Sequence, residues 1–251
     1  MDTSKGRAEK LEAMLSRIVN DPNIIPGIHN YCDRWCERCT HSIHCSVFKM
    51  ETSMEMDYEN LDTENQKFWD HLGSLIHTAA MMLQEKMKDA GIDPTIDTLA
   101  DTKQFTEEPF SSKAVIMSKE YTMDAGNWLE EQRDFLIGEH EKFNAIGGEN
   151  PTIVADTIDV IQHYFMIIAT KTYRAHLPFE SEEDSSDAMG SAKVALILID
   201  RSTAAWVRLM ELYPGFEDTI LEFLRQLTDI KKLIQERFPN AMSFVRPGFD
   251  E

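Results

Sequence analysis

Apolar residues recur at intervals of three and four along almost the whole chain, alternating runs are few, and most glycines and prolines fall between the periodic segments. That is the pattern of helices packed on one another, and it predicts an all-α fold. The first helix is expected from Lys5 to Val19, with Leu11, Met14, Leu15 and Ile18 on one stripe. Thr63 is placed to cap a long helix whose apolar positions run from Phe68 to Met87 and which stops at Gly91, a residue type suited to the turn after a helix. The next is expected from Ser112 to Phe143, ending at Gly147-Gly148. Another starts with Pro151 in its first turn and runs to about Ala175. Its centre, Val160 to Ala169, is apolar on nearly every side, as in a helix surrounded by others.

The stretch from Phe179 to Asp187, FESEEDSSD, is expected to be a flexible acidic crossover loop. Two further helices follow, from about Ala188 to Leu212 and from Glu217 to Arg237. Five long helices with mostly short loops imply an antiparallel bundle over residues 61–251, preceded over residues 1–60 by the first helix and a cysteine-rich segment.

That segment carries the clearest chemistry. All four cysteines of the chain, Cys32, Cys36, Cys39 and Cys45, lie within it at the spacing C-x3-C-x2-C-x5-C. If the segment is helical, the first three fall within about 60° around the axis, and Cys45 returns from the next turn as a fourth ligand. Thiolates prefer zinc, copper(I) or iron–sulfur clusters to magnesium or calcium. Structural zinc sites bring two C-x(2-4)-C pairs together across a long spacer, and no such spacer exists here. The compact spacing points to a 4Fe-4S cluster, each thiolate taking one iron. Zinc is the alternative, with His41 or His44 able to replace a cysteine. Arg34, Arg38 and Lys49 are expected to offset the charge of an anionic cluster, and Tyr31, Trp35, Ile43 and Phe48 to limit its exposure. A redox pair at Cys36 and Cys39, and four small buried thiols with no ligand, are the other readings of the same residues.

The C-x2-C-x5-C spacing of Cys36, Cys39 and Cys45 resembles the 4Fe-4S staple of RecB-like exonucleases over about 14 residues. The nuclease sheet and its acidic-lysine motif are absent from this sequence, so the resemblance implies the cluster and not the nuclease. The C-x3-C-x2-C part is similar to radical-SAM spacing, but an all-helical chain with a fourth cysteine departs from that family. Over a longer span, the runs YCDRWCERC, GSAKVALILIDRS and FVRPGFDE resemble an uncharacterised bacterial all-helical family with a four-cysteine motif. That resemblance implies a cytosolic bacterial setting and assigns no catalytic residue.

Charge narrows the partners. With 44 acidic against 25 basic residues the formal charge is -19, which disfavours nucleic acid and anionic lipid surfaces as partners. The longest stretch free of Asp, Glu, Lys and Arg, His71 to Gln84, has 14 residues, too few to span a bilayer. A cytoplasmic protein with a redox or other protein partner is expected, without nucleic acid or membrane.

Inside the apolar helices sit several polar residues. Asp156, Asp159, His163, Thr170 and Arg174 share one strip; Asp70, Ser74 and His77 share another; Lys193 and Asp200 flank an apolar run. These read as a solvated face and structural ion pairs, with Arg201 among the partners. The functional alternative is a polar pocket using His77, Asp159 and His163 as ligands or proton carriers. No Glu-x-x-His occurs, so a ferritin-like di-iron site is not encoded. No nucleophile elbow, phosphate loop or dinucleotide fingerprint is present either. Three functions are compatible with the sequence: a 4Fe-4S protein in electron transfer or redox sensing, a structural zinc site on an interaction bundle, and a metalloenzyme or small-ligand binder.

Overall fold

The computed structural model describes residues 13–18, 20–53, 87–88, 91, 111–138, 150–178 and 181–250. The described residues are overwhelmingly helical and contain no strand, so the fold is all-α. The chain divides into two compact units, one formed by Met1–His29 with Cys36–Thr106 and the other by Asn30–Trp35 with Glu107–Glu251. The expected boundary at residue 60 and the helix from Thr63 lie outside the described residues, apart from the end of that helix. There, residues 87 and 88 are helical and Gly91 turns with φ of 71°, the left-handed conformation that ends helices at low steric cost.

In the first unit, residues 13–18 are helical, and the cysteine-bearing part is a series of tight turns followed by α1, Ser46–Ser53. In the second unit, four long helices account for most of the structure: α2, Lys113–Glu131; α3, Asn150–Ala175; α4, Glu182–Leu212; and α5, Glu217–Arg237. The observed α3 and α5 match the periodicity to within a residue. The helix expected from Ser112 is interrupted at Gln132 and resumes over residues 133–138.

The acidic loop needs correction. Residues 182–187 are the first turns of α4, not a crossover loop. Ser181 accepts the Asp184 amide at 3.1 Å while Asp184 accepts the Ser181 amide at 3.2 Å, a capping box that satisfies two orphan donors. Acidic side chains at this end also complement the positive pole of the helix. The local charge that suggests a solvated loop therefore favours a helix start.

Helices α3 and α4 are the most extensively packed pair, and both α2 and α5 lie against this unit's core. Arg174 meets Asp187 close to their connection, and Tyr164 meets Arg201 farther along, so α3 and α4 run antiparallel. The centre of the core is aromatic: Trp206 is fully buried with Trp128 edge-on at 5.4 Å and Phe223 at 4.7 Å. Its indole N–H donates to the Tyr121 hydroxyl at 2.9 Å, which gives the one polar edge of a buried tryptophan its partner. By length and apolar composition alone, Ile153–Ala175 is also long enough to cross a bilayer. In the structure its Val154, Ile161, Tyr164, Ile168 and Ala175 are buried in the unit's core.

Candidate metal centre

The cysteine segment is not the single helix that would put three thiols on one stripe. Asp33 Oδ1 accepts the Trp35 amide at 3.1 Å, a local side-chain bond that competes with helix formation. Arg34 follows with φ of 60°, a left-handed position that a right-handed helix cannot contain. Only short 3-10 turns remain, at Cys36–Arg38 and Ser42–His44. The first is closed by Cys39 N–H donating to Cys36 O at 3.2 Å, and a turn of this pitch sets residues three apart on the same side. Two cysteines thus share a turn where three were expected to share a helix.

Cys32 belongs to the second unit, and Cys36, Cys39 and Cys45 to the first. All four are half-buried. In the first unit, Cys39 Sγ accepts the His41 amide at 3.4 Å. Around Cys45 the chain is stitched to the preceding turn: Ile25 N–H donates to His44 O at 3.0 Å and the His44 ring Nδ1 to Asn23 O at 2.8 Å. Lys49 pairs with Asp21 at 2.5 Å. Its hydrogen bond, followed by the Asn23 amide, holds the Asp21 carboxyl at about 2. Lys49 is therefore committed to Asp21 rather than to the cysteines, and Ile43, expected to shield them, is 63% exposed.

In the second unit, the short segment around Cys32 is held at nearly every residue. Lys171, buried on α3, donates to Asn30 O at 2.6 Å. Tyr31 packs on Phe244 with ring centroids 4.9 Å apart. Asp33 Oδ2 accepts the Tyr164 hydroxyl at 3.0 Å and Arg201 Nη1 at 2.5 Å, while its carbonyl accepts His163 Nε2 at 3.0 Å. Trp35 stacks on His163 at 4.3 Å and meets Tyr164 edge-on at 5.5 Å. Cys32 hangs between two fixed neighbours.

Burial pushes the Cys32 thiol up, while the Arg34 amide and the positive charges of Arg34 and Lys171 pull the other way. Burial also brings the Lys171 ammonium down to about 8, opposed by the negative charge that Cys32 develops. Burial and the Asp33 carboxylate push the Tyr164 hydroxyl up to about 12. It is thus a hydrogen-bond donor at neutral pH.

Among the described residues, no group of three or more His, Cys, Asp or Glu side chains stands together as a metal site. Comparison with protein-family models, curated proteins and solved structures finds no match.

The polar residues noted inside the helices separate into two sets. Asp156, Asp159 and Thr170 are exposed, as on a solvated face. Ion pairs hold Lys193 to Asp250 at 2.7 Å, Asp200 to Lys231 at 2.5 Å, Arg201 to Asp33, and Arg174 to Asp187 at 2.6 Å. His163 is half-buried and serves the Asp33 carbonyl, while Asp70, Ser74 and His77 lie outside the described residues. Sequence reasoning passed over Lys171, Asp33, Tyr164 and Gly190. Lys171 had a signal, as the first charge after the most apolar run of α3, whereas the 168-residue separation of Asp33 and Arg201 leaves none.

Proposed function

We propose that Cys32, Cys36, Cys39 and Cys45 hold a 4Fe-4S cluster and that the protein acts in electron transfer or redox sensing in the bacterial cytosol. The observation that carries this reading is the confinement of every cysteine in 251 residues to one C-x3-C-x2-C-x5-C segment. Soft ligands at short, unequal spacings suit a compact cluster better than the paired knuckles of a zinc site. The positive charges of Arg34 and Lys171 beside Cys32, which oppose the burial that pushes its thiol up, support the reading.

The donor set fits the group chemically, since four thiolates are the ligands such a cluster takes. Metal binding by such a set converts binding energy into local folding. When bound, the cluster supplies a one-electron carrier. The protein's own residues anchor the peptide of Cys32 through Lys171 and Asp33 and place the positive charges of Arg34 and Lys171 near it.

Chemical reconstitution with iron and sulfide, followed by dithionite reduction and electron paramagnetic resonance, tests it. A reduced-cluster signal that is lost in Cys36→Ser or Cys39→Ser supports the proposal. A protein that takes up no iron, or that binds zinc without any redox signal, refutes it.

A further inference from the structure

The three sequence runs singled out for their resemblance to a bacterial helical family meet in one place within the second unit. Tyr31 comes from the first run, Gly190 and Lys193 from the second, and Phe244 and Asp250 from the third. We propose that Gly190, Lys193 and the C-terminal segment from Phe244 to Asp250 form a latch that sets the position of Cys32.

Gly190 lies well inside α4, where alanine is the better helix former. Its presence therefore needs a packing reason. A Cβ at this position would collide with the ring of Tyr31 and come within 2.9 Å of the Phe244 ring. Glycine leaves the slot that the Tyr31 ring fills, and Phe244 closes it. One turn on, Lys193 is buried, and both acceptors of its ammonium belong to the tail: Phe244 O at 2.6 Å and Asp250 Oδ2 at 2.7 Å.

Asp250 is fixed in turn by Arg246, whose Nη2 donates to Oδ1 at 2.8 Å and whose Nε and backbone N–H donate to Oδ2 at 3.0 and 2.9 Å. If the tail leaves, the Lys193 ammonium is left in the interior without these partners, which is the costly half of breaking a buried ion pair. The tail therefore stays, Phe244 stays against Tyr31, and the peptide entering Cys32 is anchored. The peptide leaving Cys32 is anchored by Asp33 through Tyr164 and Arg201. Gly190, Lys193 and Asp250 are positioning residues in this arrangement, acting on Cys32 through Tyr31.

The test uses the full-length chain, reduced and free of metal, in a timed alkylation quantified at each cysteine by mass spectrometry. In Asp250→Asn and in Gly190→Ala the rate at Cys32 is expected to rise about tenfold relative to Cys36, Cys39 and Cys45, as local opening becomes easier. Asp250→Glu, which keeps the carboxylate, is expected to stay near the parent rate. A Cys32 rate that moves no more than the other three in both Asp250→Asn and Gly190→Ala overturns the latch.

A second arm titrates cobalt(II) and reads sulfur-to-metal charge-transfer absorption; this arm alone rests on the four-cysteine reading. The latch variants are expected to bind cobalt about tenfold more weakly, as a ligand that must first be positioned lowers apparent affinity. Absence of the absorption in the parent protein refutes the metal reading, while the alkylation arm still decides the latch.

Discussion

Asp33→Asn tests how the segment carrying Cys32 is held. The carboxylate accepts three donors: the Trp35 amide on Oδ1, and the Tyr164 hydroxyl and Arg201 on Oδ2. Asparagine can serve one side only, because its amide nitrogen presents hydrogens to the other. With the Trp35 amide kept, the Tyr164 and Arg201 bonds are lost. Arg201 is half-exposed, so its pair contributes no more than about 1 kcal/mol. The Tyr164 bond to a charged acceptor is worth about 1.5 kcal/mol at this partial burial.

The expected loss is about 2 kcal/mol, read from urea midpoints followed by circular dichroism at an unchanged slope. A double-mutant cycle with Tyr164→Phe isolates the shared bond and should return a coupling of about 1 kcal/mol. The Tyr164 phenol should also ionise at lower pH in Asp33→Asn, since the Asp33 charge helps to hold it up. A loss below about 0.5 kcal/mol, or single changes that add within about 0.3–0.5 kcal/mol, would refute this account of the anchor.

Other consequences are equally specific. Ser181→Ala removes half of the α4 capping box and should cost about 1 kcal/mol in thermal or urea unfolding, with faster amide exchange confined to residues 182–185. Tyr121→Phe leaves the Trp206 indole N–H without its acceptor in a closed core and should cost about 1–3 kcal/mol. A neutral effect there would mean the bond is not made. The Arg246 hydrogen bond, and after it Lys193, hold the Asp250 carboxyl well below the usual carboxylate range. Its contribution is therefore fully present above the ordinary carboxylate value of about 4 and is lost as pH falls through the lower folded value. Stability of the parent should fall with acid below pH of about 4 more steeply than that of Asp250→Asn; parallel curves would contradict the pairing.

The helical class is legible because long amphipathic segments carry their own periodicity, and α3 and α5 begin and end where Pro151, Pro239 and the apolar stripe place them. Boundaries set by side chains are harder to read. Ser181 and Asp184 cap each other three residues apart, yet the same acidic composition resembles a solvated loop. The cysteine stripe fails for a related reason: spacing of i, i+4 and i+7 fits a helix, but Asp33 captures the Trp35 amide and Arg34 turns left-handed. Contacts made over long sequence separations leave no local trace. Nothing near Gly190 or Tyr31 announces that one makes room for the other. The four cysteine positions are legible as chemistry because side-chain type and clustering survive without geometry.

The direct test of the metal proposal is analysis of protein purified without oxygen, for iron, acid-labile sulfide and zinc, alongside its visible spectrum. The account predicts brown protein with iron and sulfide in equal amounts and little zinc, the colour lost on exposure to air or when Cys36 or Cys39 is replaced. Colourless protein carrying one zinc per chain, or no metal at all, would contradict it.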